Sequence, residues 1–207
     1  FLDEMPEFPK HVLEVLRQPL EDECVTISRV NGTITYPAKF MLIASVNPCP
    51  CGYFGDESNR CSCSASQIKN YIGKISGPLM DRIDLHVEVK PVKFNDLSDE
   101  IKSESSSSIK ARINKAREIQ MKRYSKDGIY FNSQLKPRQI NLYCKIGAEE
   151  KAILKTAFEK FNLSARAFNR ILKVARTIAD LEGSENINTG HIAEAIQHRS
   201  LDKKYML

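Results

Sequence analysis

Near its middle the chain reads DLSDEIKSESSSS, residues 96–108, a polar, serine-rich run without the periodic apolar positions of a helix or strand. Such a run buries too little apolar surface to join a core, so it reads as a linker between two portions that must each build their own. In front of it apolar residues fall at both strand and helix spacings; from Ser108 onward only helical spacing occurs. The expected fold class is therefore α/β over residues 1–95, then the linker, then an all-α portion over residues 109–207. With 207 residues, 42% hydrophobic and 28% charged, the chain has material for one large domain or two small ones. No apolar run approaches the roughly 20 residues of a bilayer-spanning helix, and FLDEMPEF lacks the basic-then-apolar order of a secretion signal. A cytoplasmic protein that touches no membrane is expected.

In the first portion Val12, Leu13 and Leu16 predict a short amphipathic helix that Pro19 ends. VTISRVNGTITYP alternates on either side of Asn31-Gly32, the strongest short hairpin signal, so a hairpin over 25–36 carries Arg29 and Asn31 at its tip. The apolar run 41–45, which leads to Asn47-Pro48, predicts a strand covered on both faces. SQIKNYIGKISGPLMDRID predicts a helix capped by Ser66 and broken between Gly73 and Pro78, and IDLHVEVKPV a strand with Leu85, Val87 and Val89 on one side. Behind the linker, helices are predicted over 109–124, 136–144 with Pro137 opening it, 148–161, 164–181 with Gly183 as its stop, and 189–198 with Thr189 as its cap.

The acidic pair Asp3-Glu4 follows two apolar residues. Such a pair at a strand end holds Mg²⁺ and activates water in nucleotide hydrolases, with a phosphate-binding loop as its partner. No G-x-x-x-x-G-K-[ST] occurs: Gly73-Lys74 is followed by Ile75 and has Ile68 where the first glycine belongs. An open α/β sheet gathers ligands at the carboxyl ends of its strands, so Asp3-Glu4, Asn47 and Arg82, each beside a predicted strand, can form one site. In it Asp3 would hold Mg²⁺, Glu4 would orient and deprotonate water, and Asn47 would position that water or the terminal phosphate of ATP. An arginine from a neighbouring subunit would neutralise the transition-state charge. Taken singly, these residues read equally as a surface acidic pair and a turn asparagine.

The net charge of +5 is concentrated between residues 102 and 138, where Lys102, Lys110, Arg112, Lys115, Arg117, Lys122, Arg123, Lys126, Lys136 and Arg138 face only Glu104, Glu118 and Asp127. Two readings stay open: a solvated helix face, or contact with nucleic-acid phosphates. NPCPCGYFGDESNRCSCS carries Cys49/Cys51 and Cys61/Cys63, two Cys-x-Cys pairs separated by a glycine-containing loop. Four thiolates brought together by a loop supply the tetrahedral set of a structural Zn²⁺, although Cys-x-x-Cys is the more usual spacing. The alternative is four inert reduced thiols. Cys24 and Cys144 stand alone and read as buried thiols.

FLDEMPEFPKHVLEVLRQPLEDECVTISR, SVNPCPCGYFGD, ISGPLMDRIDLHVEV and LSARAFNRILKVARTIADLEG together resemble the Mg-chelatase-like AAA+ ATPases and, within them, the bacterial competence-related ComM (YifB) group. The resemblance runs from Phe1 to Leu207. It implies the second half of a P-loop AAA+ core followed by a helical lid, with FLDE as the tail of Walker B. The Walker A lysine and a Lon-protease-like domain are then expected upstream, and the 207 residues alone are expected to be inactive. It further implies that Asn47 is the sensor-1 residue, Arg82 the arginine finger and Arg166 the sensor-2 arginine, with Arg170 one turn later as the alternative. Nothing in the residues alone singles out Arg166, because a basic residue beside an apolar stripe is ordinarily solvated. The Asn31-Gly32 hairpin resembles a presensor hairpin that points into a ring's channel. ATP and Mg²⁺ as cofactors, assembly as a hexamer, and helicase-like DNA remodelling or branch migration are implied. Two other functions fit the same features: a metal-binding nucleic-acid module without enzymatic activity, and a chelatase or protease-linked unfoldase.

Overall fold

The computed structural model describes residues 1–30, 32–56, 59–90, 104–161 and 163–199, so Asn31 and residues 96–103 of the predicted linker lie outside the described residues. The described chain is mixed α/β and mostly helical, and it forms two compact units, Phe1–Ile83 and one that runs from Asp84 onward. Among the described residues no helix is long and apolar enough to cross a membrane.

The first unit starts from a parallel bridge between Leu2 and Ala44. A one-turn 3-10 helix, Met5–Glu7, leads into α1 (Lys10–Val15) and α2 (Arg17–Asp22). Pro19 does not end the helical stretch: it lies in the first turn of α2, where a backbone amide has no intrahelical acceptor and a proline costs nothing. The predicted hairpin forms, with β1 (Cys24–Arg29) antiparallel to β2 (Gly32–Pro37) and Ile27 opposite Ile34. Helix α3 (Ala65–Ile72) is capped by Ser64 and not by Ser66, because Ser64 Oγ accepts from Gln67 N while Gln67 Oε1 accepts from Ser64 N. It stops at Gly73, and α4 (Gly77–Met80) follows from a Ser76 cap, so the predicted break is present. Met5, Leu13, Ile75 and Leu79 form the buried core, with Leu2, Phe8, Leu16, Leu20 and Ala44 packed around them.

Two predicted strands are corrected. Residues 41–45 contribute one bridge and no continuous strand, and Met41 and Ile43 are exposed instead of covered on both faces. Residues 83–90 form no strand, and Leu85, Val87 and Val89 are all exposed. An apolar run becomes a sheet strand only where neighbours pair its backbone and cover its faces. Among the described residues the first run pairs its backbone only with Leu2 and Met5, and the second through a single hydrogen bond, His86 N to His198 O at 2.7 Å.

The second unit contains α5 (Ser106–Arg123), α6 (Pro137–Tyr143), α7 (Ala148–Phe161), α8 (Ala165–Glu182) and α9 (Thr189–Gln197). Helix α5 starts inside the predicted linker, because the Ser105 hydroxyl accepts from Ser108 N and caps it there. Pro137 opens α6, Ser164 caps α8, and Gly183 at φ 76 closes α8 in the left-handed conformation that glycine adopts freely. Asn188 and not Thr189 caps α9: its Oδ1 accepts from His191 N at 3.0 Å. His191 Nδ1 accepts from Asn188 N, which places the ring proton on Nε2, facing Glu182 at 2.7 Å.

Helix α8 packs against α5, α6 and α9 and buries Ala167, Ile171, Leu172, Ala175 and Ala179, whereas Leu181 is exposed. Asp180 occupies the buried side instead, its side chain 0% exposed. Its Oδ2 accepts from Arg123 at 2.9 Å and from Asn132 Nδ2 at 2.9 Å, and its Oδ1 accepts from Arg176 Nε at 3.1 Å. Arg123, counted in the basic run, is thus turned inward. Tyr124 donates to Asn132 Oδ1 at 2.6 Å, and Arg176 donates to the carbonyls of Ser184 and Glu185 at 2.7 and 2.8 Å, so each polar group has partners.

Candidate functional site

Leu2 and the segment from Ile43 to Ser45 exchange backbone hydrogen bonds: Leu2 N donates to Ile43 O at 2.8 Å and Ser45 N donates to Leu2 O at 2.9 Å. The parallel register sets Asp3 beside Ser45, whose hydroxyl donates to Asp3 Oδ1 at 2.5 Å and accepts from Glu4 N at 2.9 Å. Met5 N then donates to Ser45 O at 2.9 Å. Asp3 and Glu4 are both exposed, as is Asn47, two residues beyond Ser45. Glu4 has φ 49, a left-handed conformation that is uncommon for a residue other than glycine and that clusters at functional sites.

Tyr71 of α3 also belongs to this edge, and no sequence signal marks it, since an aromatic on the apolar face of a helix reads as core. It is 5% exposed. Burial, then the charges of Glu7 and Glu4, raise the pKa of its phenol, while hydrogen bonding with Asn47 works the other way. The buried Tyr71 side chain thus hydrogen-bonds with Glu7 and Asn47 and feels the charge of Glu4.

Arg82 is not joined to that edge. Its Nε donates to Arg17 O at 3.1 Å, one amino group donates to Pro78 O at 2.6 Å, and the guanidinium is ion-paired with Glu21, leaving the side chain 11% exposed. To reach a phosphate it must leave Glu21 first.

The four clustered cysteines converge. Their sulfur atoms lie within 4.8 Å of one another, a group that could hold a metal ion. Cys49 is fully buried and its Sγ is 3.3 Å from Cys51 and 3.8 Å from Cys61, with Cys51 and Cys61 3.7 Å apart. Gly52 and Gly55 turn the loop with φ of 81 and 83, values a side chain would resist. A backbone hydrogen bond at Tyr53, then the Cys49 thiol, lower the Cys51 pKa to about 6. Cys63 is pushed up to about 12: a backbone hydrogen bond at Cys51 favours its thiolate but is outweighed by the Cys51 side chain and burial. Close sulfurs share negative charge poorly, so one ionises readily and the next resists until a cation arrives. Cys144 is buried in the other unit, where burial raises its thiol to about 11, and Cys24 is half-buried.

Arg29 ends β1 on the exposed hairpin, next to a fully exposed Val30. Lys110, Arg112, Lys115 and Arg117 all lie on the exposed side of α5; Arg112 pairs with Glu104 at 2.9 Å and Arg117 stacks over the Phe131 ring at 5.0 Å. In the first turn of α8 Arg166 is exposed, whereas Arg170 is ion-paired with Asp84.

Comparison with known proteins gives consistent matches over nearly the whole chain. The family model described as Magnesium chelatase, subunit ChlI, matches residues 1–97, and that described as Magnesium chelatase, subunit ChlI C-terminal, matches residues 103–199. The chain is 43% identical over 202 residues to the competence protein ComM of Haemophilus influenzae, a match that covers 97% of this chain and 38% of that protein. It is 40% identical over 204 residues to the uncharacterised protein YifB of Escherichia coli, covering 98% of this chain and 39% of that protein. The chain thus spans between 38% and 39% of the length of these two relatives.

Proposed function

This chain belongs to the magnesium chelatase subunit ChlI family, and from that premise we propose that it forms the second half of an AAA+ nucleotide-binding core and the helical lid that follows, within a ring-forming ATPase of the ComM type that remodels DNA. The observation that carries the hydrolytic part is the parallel pairing that sets Asp3-Glu4 and Asn47 on one exposed edge, with Ser45 between them. Oxygen donors of this kind fit Mg²⁺, a hard cation that takes few protein carboxylates and keeps water and phosphate oxygens as its other ligands. Bound Mg²⁺ and ATP supply the phosphoryl group and the charge that activates it.

Asp3, held by the Ser45 hydroxyl and the Glu4 amide, is the carboxylate oriented for the ion. Glu4 is the carboxylate left to orient a water molecule and take its proton. Asn47 positions that water or the terminal phosphate. Arg82 serves a neighbouring subunit in a hexameric ring and Arg166 reaches the nucleotide from the lid, with Arg170 as the alternative already committed to Asp84. The competence role named for the Haemophilus relative, the exposed hairpin and the basic face of α5 support DNA as the partner and a cytoplasmic place of action.

ATP hydrolysis by the full-length protein, measured with and without branched DNA, tests this reading. Turnover stimulated by DNA is expected; turnover indifferent to every DNA form tried removes the DNA part, and no turnover removes the ATPase. A second reading, a metal-binding nucleic-acid module without activity, is favoured by the cysteine cluster and by the net charge of +5, and is what that last outcome would leave.

Two expectations follow for smaller parts. Residues 1–207 by themselves neither bind nor hydrolyse ATP measurably, because they contain no phosphate-binding loop. Titration with labelled ATP and Mg²⁺ checks this, and micromolar binding would overturn it. Arg82→Ala abolishes turnover in the full-length ring, yet mixing it with Glu4→Gln subunits restores part of it at interfaces that pair an intact Glu4 with an intact Arg82. If subunits exchange and the mixture stays as inactive as its components, Arg82 is a strut for Glu21 and the backbone of α2, and not a finger.

A further inference from the structure

We propose that Cys49, Cys51, Cys61 and Cys63 bind one zinc ion, and that this ion holds Asn47 and α3 against the Asp3-Glu4 edge, so that metal occupancy sets the rate of nucleotide hydrolysis. The coupling rests on the function proposed above; the metal site does not.

Three observations carry it. The first is the sulfur geometry. A tetrahedral ion with Zn–S bonds of about 2.3 Å sets its sulfurs about 3.8 Å apart. The separations of 3.3, 3.7 and 3.8 Å among Cys49, Cys51 and Cys61 are already close to that, and the Cys63 sulfur lies within 4.8 Å of each of them. Four thiolates in a tetrahedral arrangement select zinc over the harder divalent ions, which prefer oxygen.

The second is what else holds the loop. Tyr53 and Phe54, the large apolar side chains between the two cysteine pairs, are both exposed, and Arg60 covers the Tyr53 ring from outside at 4.2 Å. Of the described residues in this loop Cys49 alone is buried. A segment with so little core needs a cross-link to keep one conformation, and four converging sulfurs provide the means.

The third is connectivity. A single residue, Pro48, separates Asn47 from the first ligand, and its fixed φ passes the position of Cys49 on to Asn47. At the other end Cys63 directly precedes Ser64, the cap of α3, and α3 carries Tyr71, whose side chain hydrogen-bonds with that of Asn47. The sulfurs therefore close a circuit from Asn47 through the loop and α3 to Tyr71, and Tyr71 is a positioning residue within it. Releasing the metal frees both ends of that circuit while leaving the Leu2–Ala44 pairing, which does not pass through the loop, in place.

The test uses the full-length protein purified without a polyhistidine tag. Elemental analysis should find about one zinc per chain, lowered in Cys61→Ser and Cys63→Ser but not in Cys24→Ser, and cobalt substitution should give the absorption of a tetrahedral tetrathiolate site. Reversible zinc removal should lower kcat by about 10²-fold, the cost of an ångström-scale misplacement, with ATP affinity nearly unchanged and kcat restored on adding zinc back. Tyr71→Ala should lower kcat with zinc content intact. Stoichiometric zinc whose removal leaves kcat unchanged overturns the coupling and keeps the site. Loss of ATP binding together with hydrolysis shows that the metal holds the whole fold, and also overturns the coupling. Absence of zinc, with the four thiols reacting freely or paired as disulfides, overturns the site itself. A zinc-replete protein that never hydrolyses ATP removes the ATPase reading and the coupling with it, while the zinc content and the cobalt spectrum still establish the site.

Discussion

Glu4→Gln in the full-length protein lowers ATP turnover by about 10²–10⁴-fold, the usual contribution of a positioned general base, while ATP affinity stays close to that of the parent. Glutamine keeps the size of the side chain and the left-handed backbone at φ 49, but its amide cannot take a proton from water. The backbone contact that positions this residue, Glu4 N to Ser45 Oγ at 2.9 Å, does not involve its side chain and survives the change. The loss therefore falls on kcat and spares nucleotide binding, which is the pattern of an interaction made in the transition state. Asp3→Asn should differ, weakening Mg²⁺-dependent binding as well. Nucleotide titration and steady-state turnover on the same preparations separate the two cases. If Glu4→Gln turns over within a few-fold of the parent, water activation belongs to another residue.

The second large effect is on stability. Asp180→Ala destabilises the helical unit by about 3–5 kcal/mol, the cost of removing one partner from a buried ionic group. Asp180 has a fully buried side chain and is the acceptor shared by Arg123, Arg176 and Asn132. Burial, then the charge of Arg123, lower the pKa of Arg176 even with Asp180 in place, and without Asp180 the two guanidinium groups have no counter-charge. Glu104→Ala, which breaks the exposed pair with Arg112, serves as the control and should leave stability nearly unchanged. Hydrogen exchange of α8 amides reads the helical unit separately from the rest. Protection factors in α8 that fall no further for Asp180→Ala than for the control would show that the network is dispensable.

How much of this was legible beforehand depends on the range of the interaction concerned. The hairpin, the stop of α8 at Gly183 and the opening of α6 at Pro137 each follow from a backbone preference acting over two or three residues, and each is where the sequence predicts it. The cysteine cluster was legible for a related reason: two close pairs on one short loop have few ways to stay apart. Where two capping residues compete nearby, the choice of Ser64 over Ser66 and Asn188 over Thr189 turns on which side chain completes a reciprocal bond, and spacing alone leaves that open. Arg166 was singled out by family resemblance and by nothing in its own surroundings.

Punctuation and short-range spacing thus determined the hairpin, most helix ends and the convergence of the thiols. Packing over long separations decided the rest. Arg117 and Arg123 stand on one helix in one basic run, yet the exposed Arg117 stacks on the Phe131 ring and Arg123 turns inward to Asp180, and no local rule distinguishes them. The runs 41–45 and 83–90 carry the apolar residues of strands but lack the neighbours that make a strand. The engagement of Arg82 by Glu21 and the hydrogen bonding of Tyr71 with Asn47 join residues far apart in sequence, whose distances are set by the fold around them and not by the segments that carry them.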